Sequence, residues 1–200
     1  SCPDTSEAAE YTNRIFPSVT QLSDKHFLIA GGLTNVDTSS GQTRFVSGDS
    51  GKKAFIYNSQ TGDLKRLSTL MNVGRGAHAA IVVKTQTKTQ VVMFGGTTAL
   101  IHNPNSTKKF PWDFDTIEAL STVEVFEYDQ DPFVGQFKAF AGGVAPQMFT
   151  KRVFPTANII SDDGLGLVCG GGPWGVADKP NSIVFRECDV WDPVATDFLR

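Results

Sequence analysis

Few side chains in this 200-residue chain are of types that do chemistry, and their spacing limits what they can do. His26, His78 and His102 stand in three unrelated settings and do not form a metal-ligand pattern. Cys2, Cys169 and Cys188 lack metal spacing too, and an odd number cannot all pair internally. Ser50 lies in Gly48-Asp49-Ser50-Gly51, but acyl transfer also needs a histidine base and a buried acid in the same place. Lys52-Lys53 follow that serine and His26 belongs to an unrelated apolar segment, so the stretch reads as a polar hairpin loop. Neither catalytic residues nor a metal or cofactor is expected. Recognition is the better use of what remains. Lys108-Lys109-Phe110-Pro111-Trp112-Asp113-Phe114-Asp115 sets three aromatics beside charges, the composition of an interaction hot spot. The same rings could instead fold back to anchor a long loop. Trp174 and Arg44 are further loop candidates of this sort.

These residues have to be held by something, and the holding elements repeat. Phe27-Leu-Ile-Ala-Gly31-Gly32, Val91-Val-Met-Phe-Gly95-Gly96 and Leu165-Gly-Leu-Val-Cys169-Gly170-Gly171 are three apolar runs ending in paired glycines. Glycine reaches φ > 0 without steric cost, so each pair marks a tight change of direction. An arginine opens a segment before each pair, in Arg14-Ile-Phe-Pro-Ser-Val, Arg75-Gly-Ala-His78-Ala-Ala and Arg152-Val-Phe-Pro-Thr-Ala. After each pair come a long polar loop, an aromatic strand, a turn and a short closing strand. The aromatic strands are Ala54–Asn58, Val123–Asp129 and Ile183–Asp192. In the second of these, Val123 and Val125 alternate with Glu124, which places the acid on the polar face. Asp115–Leu120 could form a helical turn or two capped by Asp115. The expected fold class is all-β, in units of four short strands. Arg14, Arg75 and Arg152 recur by repeat position and read as structural hydrogen-bond donors. Cys169 and Cys188 fall on adjacent strands of one unit, as a disulfide or as two buried thiols.

An arginine-led strand, an apolar strand ending in Gly-Gly, a strand ending Tyr-Asp or Tyr-Asn, and a turn to a closing strand together resemble the kelch repeat. Arg75-Gly-Ala-His78-Ala is close to the kelch opening, and Trp191-Asp-Pro-Val-Ala-Thr196 is similar to its turn. The Arg14-Ile-Phe-Pro and Arg152-Val-Phe-Pro variants look like the kelch repeats of galactose-oxidase and glyoxal-oxidase relatives. The resemblance implies a β-propeller of four-stranded blades, here a partial one of about three blades, since closed propellers typically have four to eight. Residues 1–12 would form an extension, and the blades would span 13–73, 74–150 and 151–200. His78 would then be structural, and partners would dock on the loop face. Completion could come from further sequence, from another chain or from self-pairing, and the cut look of both ends favours the first two. The copper-radical oxidases of this repeat style need two tyrosines, two histidines and a cysteine cross-linked to a tyrosine. Tyr11, Tyr57 and Tyr128 do not supply that set. The alternative function is therefore part of a secreted oxidase-like or glycan-active propeller whose catalytic residues lie elsewhere. The glycan reading rests on the loop aromatics and on Ser47-Gly-Asp-Ser-Gly51, which partly resembles an Asp-box.

Composition narrows the partners. With 18 Lys and Arg against 21 Asp and Glu, the net charge of −3 offers no basic stripe for nucleic acid. No apolar run is long enough for a membrane-spanning helix. The opening Ser1-Cys2-Pro3-Asp4 has no initiator methionine and fits a processed or excised segment. Asn105-Ser106-Thr107 is an N-glycosylation acceptor that favours secretion, and Cys2 would be left to pair outside the segment. The reading is a non-catalytic module for protein–protein interaction or assembly.

Overall fold

The computed structural model describes residues 13–39, 43–84, 88–102, 112–113, 117–129, 132–172 and 187–199. Nearly every regular element among them is a strand. In chain order they are β1 (Ser18–Gln21), β2 (His26–Ala30), β3 (Asn35–Asp37), β4 (Thr43–Val46), β5 (Ala54–Asn58) and β6 (Leu64–Arg66). There follow β7 (Ala79–Lys84), β8 (Thr89–Phe94), β9 (Ala99–His102), β10 (Trp112–Asp113), β11 (Leu120–Tyr128) and β12 (Gln136–Phe137). The last are β13 (Gln147–Arg152), β14 (Thr156–Ile159), β15 (Gly166–Cys169), β16 (Cys188–Asp192) and β17 (Asp197–Phe198).

They form four antiparallel sheets. Three are the sequence repeats: β1-β2-β5-β6, then β7-β8-β11-β12 with β13 joined to the start of β11, then β14-β15-β16-β17. Their registers coincide. Ala30 faces Ala54, Phe94 faces Val123, and Cys169 faces Cys188 in the three second-to-third strand pairings. Two residue pairs further along, Leu28 faces Ile56, Val92 faces Val125, and Leu167 faces Val190.

Successive repeat sheets stack on one another, and alternation divides each strand between two neighbours. Leu28, Ala30, Ala54 and Ile56 of the first sheet meet Val91, Met93, Phe126 and Phe137 of the second. Val92, Phe94, Val123 and Val125, on the opposite face of the second sheet, meet Val168, Trp191 and Phe198 of the third. The face turned toward the following repeat is called forward here, and the opposite one rear.

A backbone seam reinforces this stacking at the arginine-led segments. The Gly32 amide donates to the Arg75 carbonyl at 2.7 Å, and the Gly96 amide to that of Arg152 at 2.8 Å. In the same rhythm Ala77 donates to Phe16 at 3.0 Å and Phe154 donates to Ala77 at 2.8 Å. Phe16, Ala77 and Phe154 all hold positive φ, at 55°, 56° and 54°. Non-glycine residues avoid that region, so its recurrence at one repeat position is imposed by the seam.

The fourth sheet was not anticipated. The segments after the first two glycine pairs, expected as long loops, pair as β3-β4-β9-β10. Leu100 and Phe45 carry the reason: with Leu33, Ala77, Ile117, Ala119 and Val153 they build a third apolar cluster that two separate loops could not bury. The proposed helical turn is corrected as well, for the part that is described. Ala119 bridges Thr97 and Leu120 already begins β11, so this stretch is extended.

Candidate interaction surfaces

The loop sheet brings several expected recognition residues together. Arg44 lies on β4 opposite Asp37 of β3, with a 3.8 Å ion pair between the two half-exposed side chains. On its other side Arg44 faces Ile101 of β9, and Ile101 faces Asp113 of β10. The backbones of Arg44, Trp112 and Asp113 therefore belong to one continuous sheet, built from two segments of sequence. Phe110, Phe114, Trp174, Cys2 and the Asn105 acceptor lie outside the described residues.

Each of the three arginines acts as a clamp between the glycine pair and the start of the next strand. Arg14 donates to the carbonyls of Gly31, Ser50 and Lys53. Arg75 donates to those of Gly95 and Thr122, at 2.9 and 2.7 Å. Arg152 donates to those of Gly170 and Glu187, both at 2.8 Å. Ser50 thus takes part through its carbonyl, in a short helical turn, Ser50–Lys52.

Glu124 and Asp189 were missed by sequence reasoning. The strand alternation put Glu124 on a polar face, yet it is completely buried. Its carboxylate accepts from the backbone amides of Asn72 and Val73, from Asn72 Nδ2, and from Arg75 at 3.2 Å. Asp189 repeats the arrangement, accepting from the Phe149 amide at 2.7 Å and from Arg152. A buried charge is tolerable only when paired and hydrogen-bonded, and both acids also tie the incoming chain to their strand. Burial lowers the Arg75 pKa, and Glu124 opposes that shift. The first repeat has Phe55 at this place, its ring centroid 5.0 Å from the Arg14 guanidinium carbon. The signal available in the sequence was the register itself, Phe55, Glu124 and Asp189 following Ala54, Val123 and Cys188.

His78 fills the room left by a missing side chain. A Cβ on Gly31 would sit 2.7 Å from His78 Cε1. Its Nε2 lies 2.8 Å from Ser18 Oγ, while Nδ1 is enclosed without a partner among the described residues. Desolvation first, and then the Arg75 charge, push its pKa down to about 3. The folded protein therefore holds His78 neutral where an unfolded chain, with a pKa near 6.5, takes up a proton. Stability from this source is complete above pH 6.5 and is lost as pH falls toward 3, by up to about 2 kcal/mol at pH 5. Urea unfolding at pH 7 and pH 5 should show that loss, and His78→Gln should flatten it. Equal slopes for both proteins would remove His78 as the cause.

Cys169 and Cys188 form a disulfide directly across the β15–β16 register, with Cα atoms 4.3 Å apart. Between the second and third sheets a cleft of about 750 Å³ is lined by Lys84, Lys88, Gln90, Glu127, Lys138 and Asp163, among others. Glu127 already gathers its neighbours, with Lys88 at 2.9 Å, Gln90 Nε2 at 3.1 Å and Lys138 at 3.7 Å. Among the described residues no group of three or more His, Cys, Asp or Glu could hold a metal, and no helix is long and apolar enough to cross a membrane.

The class defined by these features is an all-β chain of three register-matched repeat sheets with a fourth sheet formed from their connections. No protein-family profile and no curated protein matches the chain. Among 93 matching chains of solved structures, one titled "Structure of YjhT" aligns with a TM-score of 0.49 and 14% identity. The alignment covers 92% of this chain and 49% of that one, so this chain spans about half its length.

Proposed function

We propose that the chain is a kelch-type β-propeller segment of about three blades, acting as a non-catalytic module for protein interaction or assembly. The repeat sheets serve as its blades, and further sequence or another subunit completes them. The observation that carries this reading is the forward face of the third sheet. Leu28, Ala30, Ala54 and Ile56, and their equivalents Val92, Phe94, Val123 and Val125, are all completely buried against the next sheet. The matching residues of the third sheet are not: Leu167, Cys169 and Val190 are half-buried and Cys188 is exposed. Leu199, beside them, is 48% exposed. A blade face patterned for burial and left open among the described residues is a docking surface. The clamps, the carboxylates and His78 all brace the scaffold, which leaves recognition to the loop sheet and the open faces.

Two measurements test this. Copper content and peroxide release with alcohol and aldehyde substrates should both be negative, and bound copper with peroxide production would overturn the non-catalytic reading. At high dilution an apolar dye should bind the folded protein, and Leu167→Lys with Val190→Lys should abolish most of that binding with the circular dichroism unchanged. Dye binding indifferent to both substitutions would overturn the open-blade reading.

A further inference from the structure

We infer that the cleft between the second and third sheets is a binding site for a small phosphate monoester that carries hydroxyl groups. The inference is independent of the blade reading, because both walls of the cleft belong to described residues. Lys84 at the end of β7, Lys88 before β8, Gln90 on β8, Glu127 on β11 and Lys138 after β12 form the wall on the second sheet. The opposite lip is the β14–β15 turn with Asp162 and Asp163, and the β16–β17 turn with Thr196. At about 750 Å³ the space falls within the range of small-ligand sites.

The three repeats differ at this wall. By register, Asn58 of the first sheet and Asp192 of the third occupy the position of Glu127. Asn58 Oδ1 accepts from the amides of Gln60 and Thr61, and Asp192 Oδ1 from those of Val194 and Ala195. Each thereby closes the turn that follows its strand. In the second sheet the pairing runs on to Tyr128, so Glu127 has no turn to close. Its oxygens gather the wall instead. Oε2 accepts from Lys88 at 2.9 Å, and Oε1 from Gln90 Nε2 at 3.1 Å, with Lys138 3.7 Å away. That bond commits the Gln90 nitrogen to Glu127. Gln90 Oε1 is left enclosed without a hydrogen-bond partner among the described residues, in a residue only 3% exposed. Buried acceptors are nearly always paired, so an unpaired one on a cleft wall marks the place of a donor.

Charge sets what else the ligand carries. Three lysines share one carboxylate on the second-sheet wall, while Asp162 and Asp163 stand on the opposite lip. The cleft is therefore polarised across its width. A phosphate monoester, close to a dianion at neutral pH, matches the excess of two positive charges on the wall. Lys84 has no ion pair among the described residues, and Lys138 already reaches across to Thr196 Oγ1 at 3.3 Å. Both ammonium groups can donate to phosphate oxygens. Gln90 Oε1 and the lip carboxylates are acceptors, which suits ligand hydroxyls and repels a second anionic group. No aromatic ring lines the cleft to stack a base, which argues against a nucleotide.

Isothermal titration calorimetry with glycerol 3-phosphate, inorganic phosphate and glycerol tests the assignment. Glycerol 3-phosphate should bind tightest, inorganic phosphate less tightly, and glycerol not measurably. Lys84→Met, at an exposed side chain, should weaken glycerol 3-phosphate binding about tenfold with circular dichroism unchanged, the loss of one charge-assisted contact. Lys151→Met, at an exposed lysine on β13 outside the cleft, should leave binding as it was. Gln90→Leu should bring glycerol 3-phosphate down to the level of inorganic phosphate, because the hydroxyl contact alone is lost. Failure of both phosphates to bind, or equal weakening by Lys84→Met and Lys151→Met, would overturn the site. Equal binding of the two phosphates to the wild type, or indifference to Gln90→Leu, would overturn the hydroxyl-bearing ligand.

Discussion

Glu124→Ala is expected to cost about 3–5 kcal/mol of folding stability, the usual consequence of stripping one partner from a buried ion pair. Both members of the pair are fully enclosed, 3.2 Å apart. The substitution strands more than Arg75, because the Asn72 and Val73 amides lose their acceptor too. An unsatisfied buried donor costs about 1–3 kcal/mol on its own, so the upper half of the range is the expectation. Glu124→Gln keeps the shape and one carbonyl oxygen but not the charge, and should fall between the wild type and Glu124→Ala.

The double variant Arg75→Ala, Glu124→Ala separates pairing from packing. Removing both charges leaves no uncompensated ion, so its cost should be less than the sum of the two single costs. Asp189→Ala should behave like Glu124→Ala, since Arg152 lies 2.9 Å away and the pair is equally enclosed. Phe55→Ala should lack the stranded-charge component, because Arg14 keeps its three carbonyl partners. Urea denaturation of the set reads all of this. Strict additivity for Arg75 and Glu124 would show that they do not act as a pair.

Why Glu124 escaped the sequence while its neighbours did not is a matter of what alternation can report. Val123, Val125 and the glycine pairs are legible because burial of apolar surface and positive φ each demand a narrow set of residue types. An acid between two valines normally faces water, and nothing local records that Arg75, 49 positions earlier, waits on the other side. The arginine repeat pointed to a hydrogen-bond donor, and the structure supplies the carbonyl acceptors. The carboxylate acceptors required knowing which face of each strand meets the incoming chain. The loop sheet was hidden for a similar reason. β4 and β9 are short, lie in different repeats and gain their stability from each other, so neither segment carries a strong signal alone. The disulfide, by contrast, needed only that adjacent strands place Cys169 and Cys188 in register, and they do. Arg44 was noticed for its type, but its place beside β9 and β10 is a product of that cross-repeat pairing.

The glycine pairs support a prediction of comparable size, and one that distinguishes the interior seams from the open one. Gly31, Gly95 and Gly170 share nearly the same backbone, with φ of +70°, +64° and +68°. Alanine at any of them incurs the left-handed penalty, about 1–2 kcal/mol. At Gly31 and Gly95 the new Cβ also meets a backbone carbonyl that cannot swing aside, because it accepts the Gly32 or Gly96 amide. Displacing it forfeits that seam bond and pries two sheets apart, so Gly31→Ala and Gly95→Ala should lose about 3–5 kcal/mol in total once the stranded amide is included. Gly170→Ala should lose only the conformational part, since its Cβ enters open space among the described residues. Gly170→Ala should therefore cost about 1–2 kcal/mol, whereas Gly31→Ala and Gly95→Ala damage the seam between sheets as well. Urea denaturation of the three variants reads the difference. Equal losses at all three glycines would show that the close approach of arginine carbonyl to glycine is not what these positions are kept for.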